Sequence, residues 1–262
     1  MNKRLVTSAS VLTAGLILAP IFATTASATD VAAYTSGGYV SFEAGGTVTP
    51  VDPLNPQDLI TPTDPDGTDP DPGTAAPLSI DFASSLSFGK QAVSGINATY
   101  YAHAQYISKD KDGTDVDETR PNYVQVTDNR GTQAGWTLTV AEAAQFTSDD
   151  SDAAELDGAQ LFFYKGRALG SNSYTPKYVA TNEQEISTSA TKIMAAAIAQ
   201  GMGTWAYRWG DNSDYQENGG GHLAIDAIST KSPITLKVPG GAAMAKVYKT
   251  ELIWTLSDVP ET

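Results

Sequence analysis

The residues that could do chemistry are few and scattered. The chain holds two histidines, His103 and His222, far apart in sequence and without a paired acid nearby. Serine and aspartate are plentiful, yet no Gly-x-Ser-x-Gly elbow sets a serine on the sharp turn that nucleophilic catalysis uses. A Ser-His-Asp triad has only composition behind it, and two ordinary histidines are the simpler reading. No His-Glu-x-x-His pair occurs, and the absence of cysteine excludes zinc sites built on thiolates. Residues 110–118 are rich in carboxylates: Asp110, Asp112, Asp115, Asp117 and Glu118. An EF-hand loop needs glycine at its sixth position, whereas Gly113 stands at the fourth, so the match fails. This run and a second acidic turn at 211–214 read as solvated hairpin tips, with a weak calcium site as the lesser alternative. The expectation is a protein that is not an enzyme and carries no cofactor.

Aromatic rings offer a different chemistry. Trp205, Tyr207 and Trp209 stand at alternate positions around Arg208. Exposed, such rings would stack on sugar faces; buried, they would fill the middle of a sheet. Alternation at period two is what a half-buried strand requires, and this favours the core.

A short pattern is used twice. Gly135-Trp136-Thr137-Leu138-Thr139-Val140 lies mid-chain, and Tyr248-Lys249-Thr250-Glu251-Leu252-Ile253-Trp254-Thr255-Leu256 lies near the end, followed by Pro260. Both contain Trp-Thr-Leu. On a strand, Trp136, Leu138 and Val140 share one face, and so do Tyr248, Leu252, Trp254 and Leu256. An aromatic in that stripe is expected to bury deeply.

The distal pattern, Tyr-x-x-x-Leu-x-Trp-x-Leu-x-x-x-Pro, resembles the WxL domain, a cell-wall-binding module of Gram-positive surface proteins. Every fixed position is met between Tyr248 and Pro260. The run before Trp136, residues 124–131, is similar to the family too, as are Gly203-Thr204-Trp205 and Val238-Pro239-Gly240-Gly241. The resemblance covers the chain from about Pro77 onward. It implies noncovalent retention on peptidoglycan, with partner surface proteins of the same type and a membrane-anchored companion. It also marks Trp136, Leu138, Tyr248, Leu252, Trp254, Leu256 and Pro260 as candidate binding residues. The residues themselves leave two readings open: the motifs contact ligand, or they hold the strands whose loops do. An adhesive or structural subunit that binds a protein rather than a glycan is the alternative function.

The elements that must position these residues are strands. Leu78, Ile80 and Phe82 alternate, then Leu86 and Phe88. Residues 100–107, 123–127, 136–140, 161–165, 186–188, 204–209, 223–228, 234–238 and 246–256 read as further strands, with a turn at Asp128-Asn129-Arg130-Gly131. Residues 192–200 have helix propensity and end at Gly201, but strand neighbours and the lack of a cap favour a strand. Residues 141–145 read as a single helical turn or a loop. The fold class is all-β, a sandwich-like domain of many short strands over 78–262.

The remainder of the chain reads differently. Residues 1–28 resemble a secretory signal peptide: Lys3 and Arg4, an apolar run, then Ala26-Ser27-Ala28. Residues 29–49 form a short segment in which 39–43 could pair as a strand. Residues 50–77 hold eight prolines, six aspartates and no basic residue. They read as a disordered, self-repelling linker with no core of its own. The full chain carries 16 basic against 30 acidic residues, a net charge of −14. That excludes nucleic acid as partner and adhesion to anionic polymers by simple charge. No second apolar run follows the signal, so no transmembrane segment is expected in the mature chain. No Leu-Pro-x-Thr-Gly motif occurs, so attachment to the wall is expected to be noncovalent, in a secreted, wall-associated protein.

Overall fold

Short strands make up the computed structural model, which describes residues 36–46, 48–218 and 228–262. Twenty-one strands and one 3₁₀ turn, Asn212–Asp214, occur among them. In chain order the first are β1 (Val51–Asp52), β2 (Asn55–Leu59), β3 (Thr61–Thr63), β4 (Leu78–Ala83), β5 (Ala98–Tyr101), β6 (Gln105–Lys109) and β7 (Asp115–Arg120). Next come β8 (Tyr123–Asp128), β9 (Trp136–Glu142), β10 (Thr147–Ser148), β11 (Gln160–Phe163), β12 (Gly166–Gly170), β13 (Tyr178–Val179) and β14 (Gln184–Ile186). The last are β15 (Thr191–Ala196), β16 (Gly203–Trp209), β17 (Gln216–Asn218), β18 (Ile228–Lys231), β19 (Ile234–Val238), β20 (Tyr248–Lys249) and β21 (Leu252–Ser257).

Two four-stranded antiparallel sheets form the heart of the fold, ordered β12-β16-β8-β4 and β13-β15-β9-β21. They share one apolar core with inward residues of β11, β14 and β19. Val124 and Val126 enter it from β8, Trp205, Tyr207 and Trp209 from β16, and Trp136, Leu138 and Val140 from β9. The triplet on β16 is therefore core, as its alternation required. Residues 191–196 are strand rather than helix, and 141–142 simply extend β9. Residues 86–88 and 39–43 carry no strand. The strand expected at 223–228 lies almost wholly outside the described residues.

Two bulges change which side chains point inward. β4 slips register between Ile80 and Phe82 as it pairs with β8. Ile80 packs on the main core, whereas Phe82 turns to the opposite face of the sheet, although strict alternation would keep them together. β15 slips between Lys192 and Met194, which lets consecutive Ile193 and Met194 both reach the core.

The Pro/Asp-rich stretch divides in two. Its first half departs from the expectation of a segment without a core. Val51 and Ile60 are buried with Phe82, Ile107, Tyr123 and Ala206 in a second cluster, on the far face of the β12-β16-β8-β4 sheet. β3 pairs antiparallel with β6, which pairs with β7. The Arg120 guanidinium, braced by Glu118, reaches the Asp52 carboxylate at 2.6 Å and holds β1 to β7. A few apolar residues suffice here because they land on a sheet face that would otherwise meet water. Residues 64–77 carry no strand and are mostly exposed.

The polar face of β8 explains the attachment. Gln125 is fully buried; its Oε1 accepts from the Val51 N–H at 2.7 Å, and its Nε2 donates to Asp81 at 2.8 Å. Asp81 accepts further from Ser79 at 2.6 Å and Thr127 at 2.5 Å. Burial pushes the Asp81 carboxyl above its ordinary range, against the three hydrogen bonds that favour its charged form. Gln125 keeps all its partners only while residues 49–51 lie in place.

Ile60→Ala is expected to destabilise the domain by about 2–5 kcal/mol, as buried aliphatic truncations do. Urea unfolding would read this as a lower midpoint with an unchanged slope. An unfolding curve matching wild type would place residues 50–63 outside the cooperative unit.

Candidate functional site

The two Trp-x-Leu motifs become neighbouring strands. β9 and β21 pair antiparallel, with Leu138 opposite Leu256, Val140 opposite Trp254 and Thr139 opposite Thr255. Their apolar stripes therefore line one face as a continuous patch. The ends are locked as well. Gly135 has φ of 78°, and a Cβ there would lie 2.5 Å from the Ala196 carbonyl oxygen and 2.8 Å from Pro260 Cβ. The Thr137 hydroxyl donates to the Val259 carbonyl at 2.7 Å, and the Glu261 N–H donates to the Ala196 carbonyl at 3.0 Å. Pro260 closes the chain end over the Gly-Trp turn.

Burial grades across the motifs. Trp136 and Leu138 are fully buried. The Trp136 indole donates to the Gly201 carbonyl at 2.9 Å, and the Trp205 indole to the adjacent Met202 carbonyl at 3.0 Å. Two tryptophans thus pin the turn that feeds β16. Leu252, Trp254 and Leu256 are only partly buried, because β21 is the outer strand of its sheet. Trp254 still meets Trp209 at 6.0 Å between ring centres, and Trp209 packs on Phe163 and Tyr207. The deep burial expected of Trp254 belongs instead to Trp136.

Tyr248 leaves the stripe. Thr250 turns its hydroxyl onto the Ala144 carbonyl at 2.6 Å, and the Glu251 carbonyl accepts from the Ala143 N–H at 2.9 Å, so the strand breaks there. Tyr248 pairs across to Ser148 and packs with Phe146, Leu156, Leu236 and Val238 in a third cluster. Its hydroxyl accepts from the Met244 N–H at 3.0 Å.

This third cluster floors an open cleft of about 1160 Å³ between residues 86–93 and 243–250. Phe88, Tyr100 and Tyr248 show partly exposed rings along it. Alternation could not have found it, since its walls are irregular and distant in sequence. The visible signals were Tyr248 and the Val238-Pro239-Gly240-Gly241 run that precedes one wall.

The polar candidates sort themselves by geometry. His103 is buried with Nδ1 at 3.4 Å from Glu217, and Asn122 donates to its carbonyl at 2.7 Å. His222 lies outside the described residues. Residues 110–118 form the tip and second strand of the β6–β7 hairpin, where Asp110 caps its own turn by accepting from Asp112 and Thr114 N–H. At 211–214 the carboxylates are matched by Arg208, Arg167 and Lys165. Among the described residues no group of three or more His, Cys, Asp or Glu is arranged to hold a metal ion. No helix among them is long and apolar enough to cross a membrane.

Glu142, at the end of β9, is 7% exposed. Burial, aided by the Glu185 charge, pushes its carboxyl up to about 7, from an ordinary 4.5. The folded state therefore holds this proton more tightly than the unfolded chain. Its contribution to stability is full below pH 4.5 and declines as pH rises to about 7. Glu142→Gln is expected to flatten the melting temperature across that window and to raise it above neutrality. An identical pH profile for the two proteins would show that Glu142 is not the group responsible.

Trp136→Ala should cost about 3–5 kcal/mol, and Trp254→Ala distinctly less, since only the first empties a sealed site. Equal shifts in unfolding midpoint would contradict the graded burial.

The chain matches the model of the WxL family, described as a WxL domain for surface cell wall binding, over residues 29–260. No curated protein and no solved structure matches it. The match begins well before Pro77 and spans the proline-rich residues that cover the second sheet face. With both motifs paired in register and the match running almost from end to end, this chain belongs to the WxL family of wall-binding domains and has its place at the cell wall and cell surface.

Proposed function

We propose that the domain keeps a secreted protein on the Gram-positive wall noncovalently, by binding peptidoglycan. The support is the match to a wall-binding family over nearly the whole chain, together with the pairing of the two motifs, Leu138 against Leu256. The net charge of −14 favours the glycan–peptide mesh over polyphosphate polymers, which the chain would repel. No catalytic step and no cofactor enter this reading.

A second reading has its own support. Tyr39, Val40 and Phe42 are exposed in a stretch without strands, a composition that suits contact with another protein. The domain would then serve as a subunit among WxL-type surface proteins or dock on a membrane-anchored companion.

Sedimentation of the mature protein with purified peptidoglycan, stripped of protein and anionic polymers, separates the two. Peptidoglycan binding predicts saturable transfer to the pellet. Protein left wholly in the supernatant, while whole walls still retain it, would favour the protein partner.

A further inference from the structure

The motif tryptophans are poorly placed to stack on a sugar. Trp136 and Trp205 are sealed in the core, with their indole N–H groups spent on backbone carbonyls. Trp209 is sealed as well, and Trp254 leans on it. Three partly exposed aromatic residues, Phe88, Tyr100 and Tyr248, line one hollow, the cleft between 86–93 and 243–250.

Both ends of this cleft are tied, so it is formed in advance. At one end the Gly241 N–H donates to the Ser94 carbonyl and the Gly240 N–H to Asn97 Oδ1, each at 2.9 Å. The approach is so close that a Cβ on Gly240 would lie 2.6 Å from the Gly95 oxygen and the Ile96 Cα. At the other end β10 pairs with β20, and Lys246 bridges Asp150 at 2.9 Å and Asp152 at 2.6 Å. Lys249 meets Asp149 at 2.8 Å. Along the lip, Val93, Met244 and Val247 are 56%, 48% and 61% exposed, large apolar groups left in water.

The chemistry of the hollow selects its occupant. Aromatic faces take the C–H faces of a pyranose, and apolar lip residues suit the methyl of an acetamido group. Lys246 and Lys249 on the rim are already matched by aspartates, so they offer a polyanion no surplus charge. Ser87 and Gln91 in the lining carry the hydroxyl and amide groups that a neutral molecule with many hydroxyls can meet. At about 1160 Å³ the cleft exceeds the roughly 300–1,000 Å³ of sites for single small molecules, which suits several linked sugars.

We infer that this cleft, and not the tryptophans of the motifs, grips the wall glycan by stacking N-acetylated amino sugars on Phe88, Tyr100 and Tyr248. The inference rests on the wall-binding reading above and assigns that binding a place. Preorganisation by the tied ends lowers the cost of holding the chain of sugars.

The test uses the full mature protein and purified, protein-free peptidoglycan. Val247→Asp puts a charge on the exposed lip, and Tyr100→Ala removes a ring; Ile253→Asp, 50% exposed on β21 away from the cleft, is the control. Val247→Asp and Tyr100→Ala should each weaken sedimentation about tenfold, the scale of one lost stacking contact. Val247→Asp should leave the melting temperature unchanged, and Ile253→Asp should bind as wild type does. A soluble N-acetylglucosamine tetramer should compete with the wall for the wild-type protein. If wild type does not sediment at all, peptidoglycan binding itself falls. If wild type sediments and both cleft variants do so equally well, the cleft is the wrong place while wall binding stands. Loss of binding by Ile253→Asp as well would show a general charge effect and overturn the assignment. Failure of the tetramer to compete would overturn the sugar as occupant.

Discussion

Everything in this fold depends on β8 being covered on both faces. A strand in the middle of a sheet that packs on one side can leave its other side to water. Here the other side carries Gln125 and Thr127, fully buried, facing the buried Asp81 carboxylate. A buried amide or carboxylate without partners costs more than most apolar contacts return. Ser79, Gln125 and Thr127 satisfy Asp81, and the chain before the first long strand completes Gln125: Val51 donates to it, and it donates to the Thr49 carbonyl. That dependence makes residues 49–63 part of the folded unit. Their prolines suit the position, since a segment at the margin of a sheet has few ladder bonds to lose.

How legible this was from sequence differs by element. β9, β16 and β19 alternate cleanly and could be read, and the structure keeps their apolar faces inward. β4 and β15 could not, because a bulge in each moves one residue to the wrong parity, and nothing in Leu78–Ala83 announces where the slip falls. The proline-rich stretch misled for another reason. Composition averages over 28 residues, whereas attachment rests on a few contacts: Val51 and Ile60 in the second cluster, a hydrogen bond to Gln125, the Arg120–Asp52 pair and the pairing of β3 with β6. A disorder-like average cannot see a few well-placed anchors.

The distal motif was legible as a pattern but not as a strand. Its spacing places Tyr248 in step with Leu252, Trp254 and Leu256, yet the chain breaks at Thr250 and Glu251 and sends Tyr248 to another cluster. The break has a physical cause. β21 must run beside β9, whereas β20 must run beside β10, and β9 and β10 themselves diverge after Glu142. One motif thus serves two places: three of its residues complete the core, and the fourth lines the cleft.

With the cleft as the proposed glycan site, this division separates stability from recognition along the same short run of chain. Trp136 holds the turn at Gly201 through its indole N–H, and Trp254 packs on Trp209 of β16, so both brace β16. The cleft is built on the outside of that frame by mostly irregular segments, with β20 in one wall, tied to it by Gly240, Gly241 and Tyr248. Loss of wall binding on altering a motif tryptophan would therefore report a disturbed frame as readily as a lost contact. Only changes at exposed lip residues such as Val247, which touch no core cluster, bear on recognition alone.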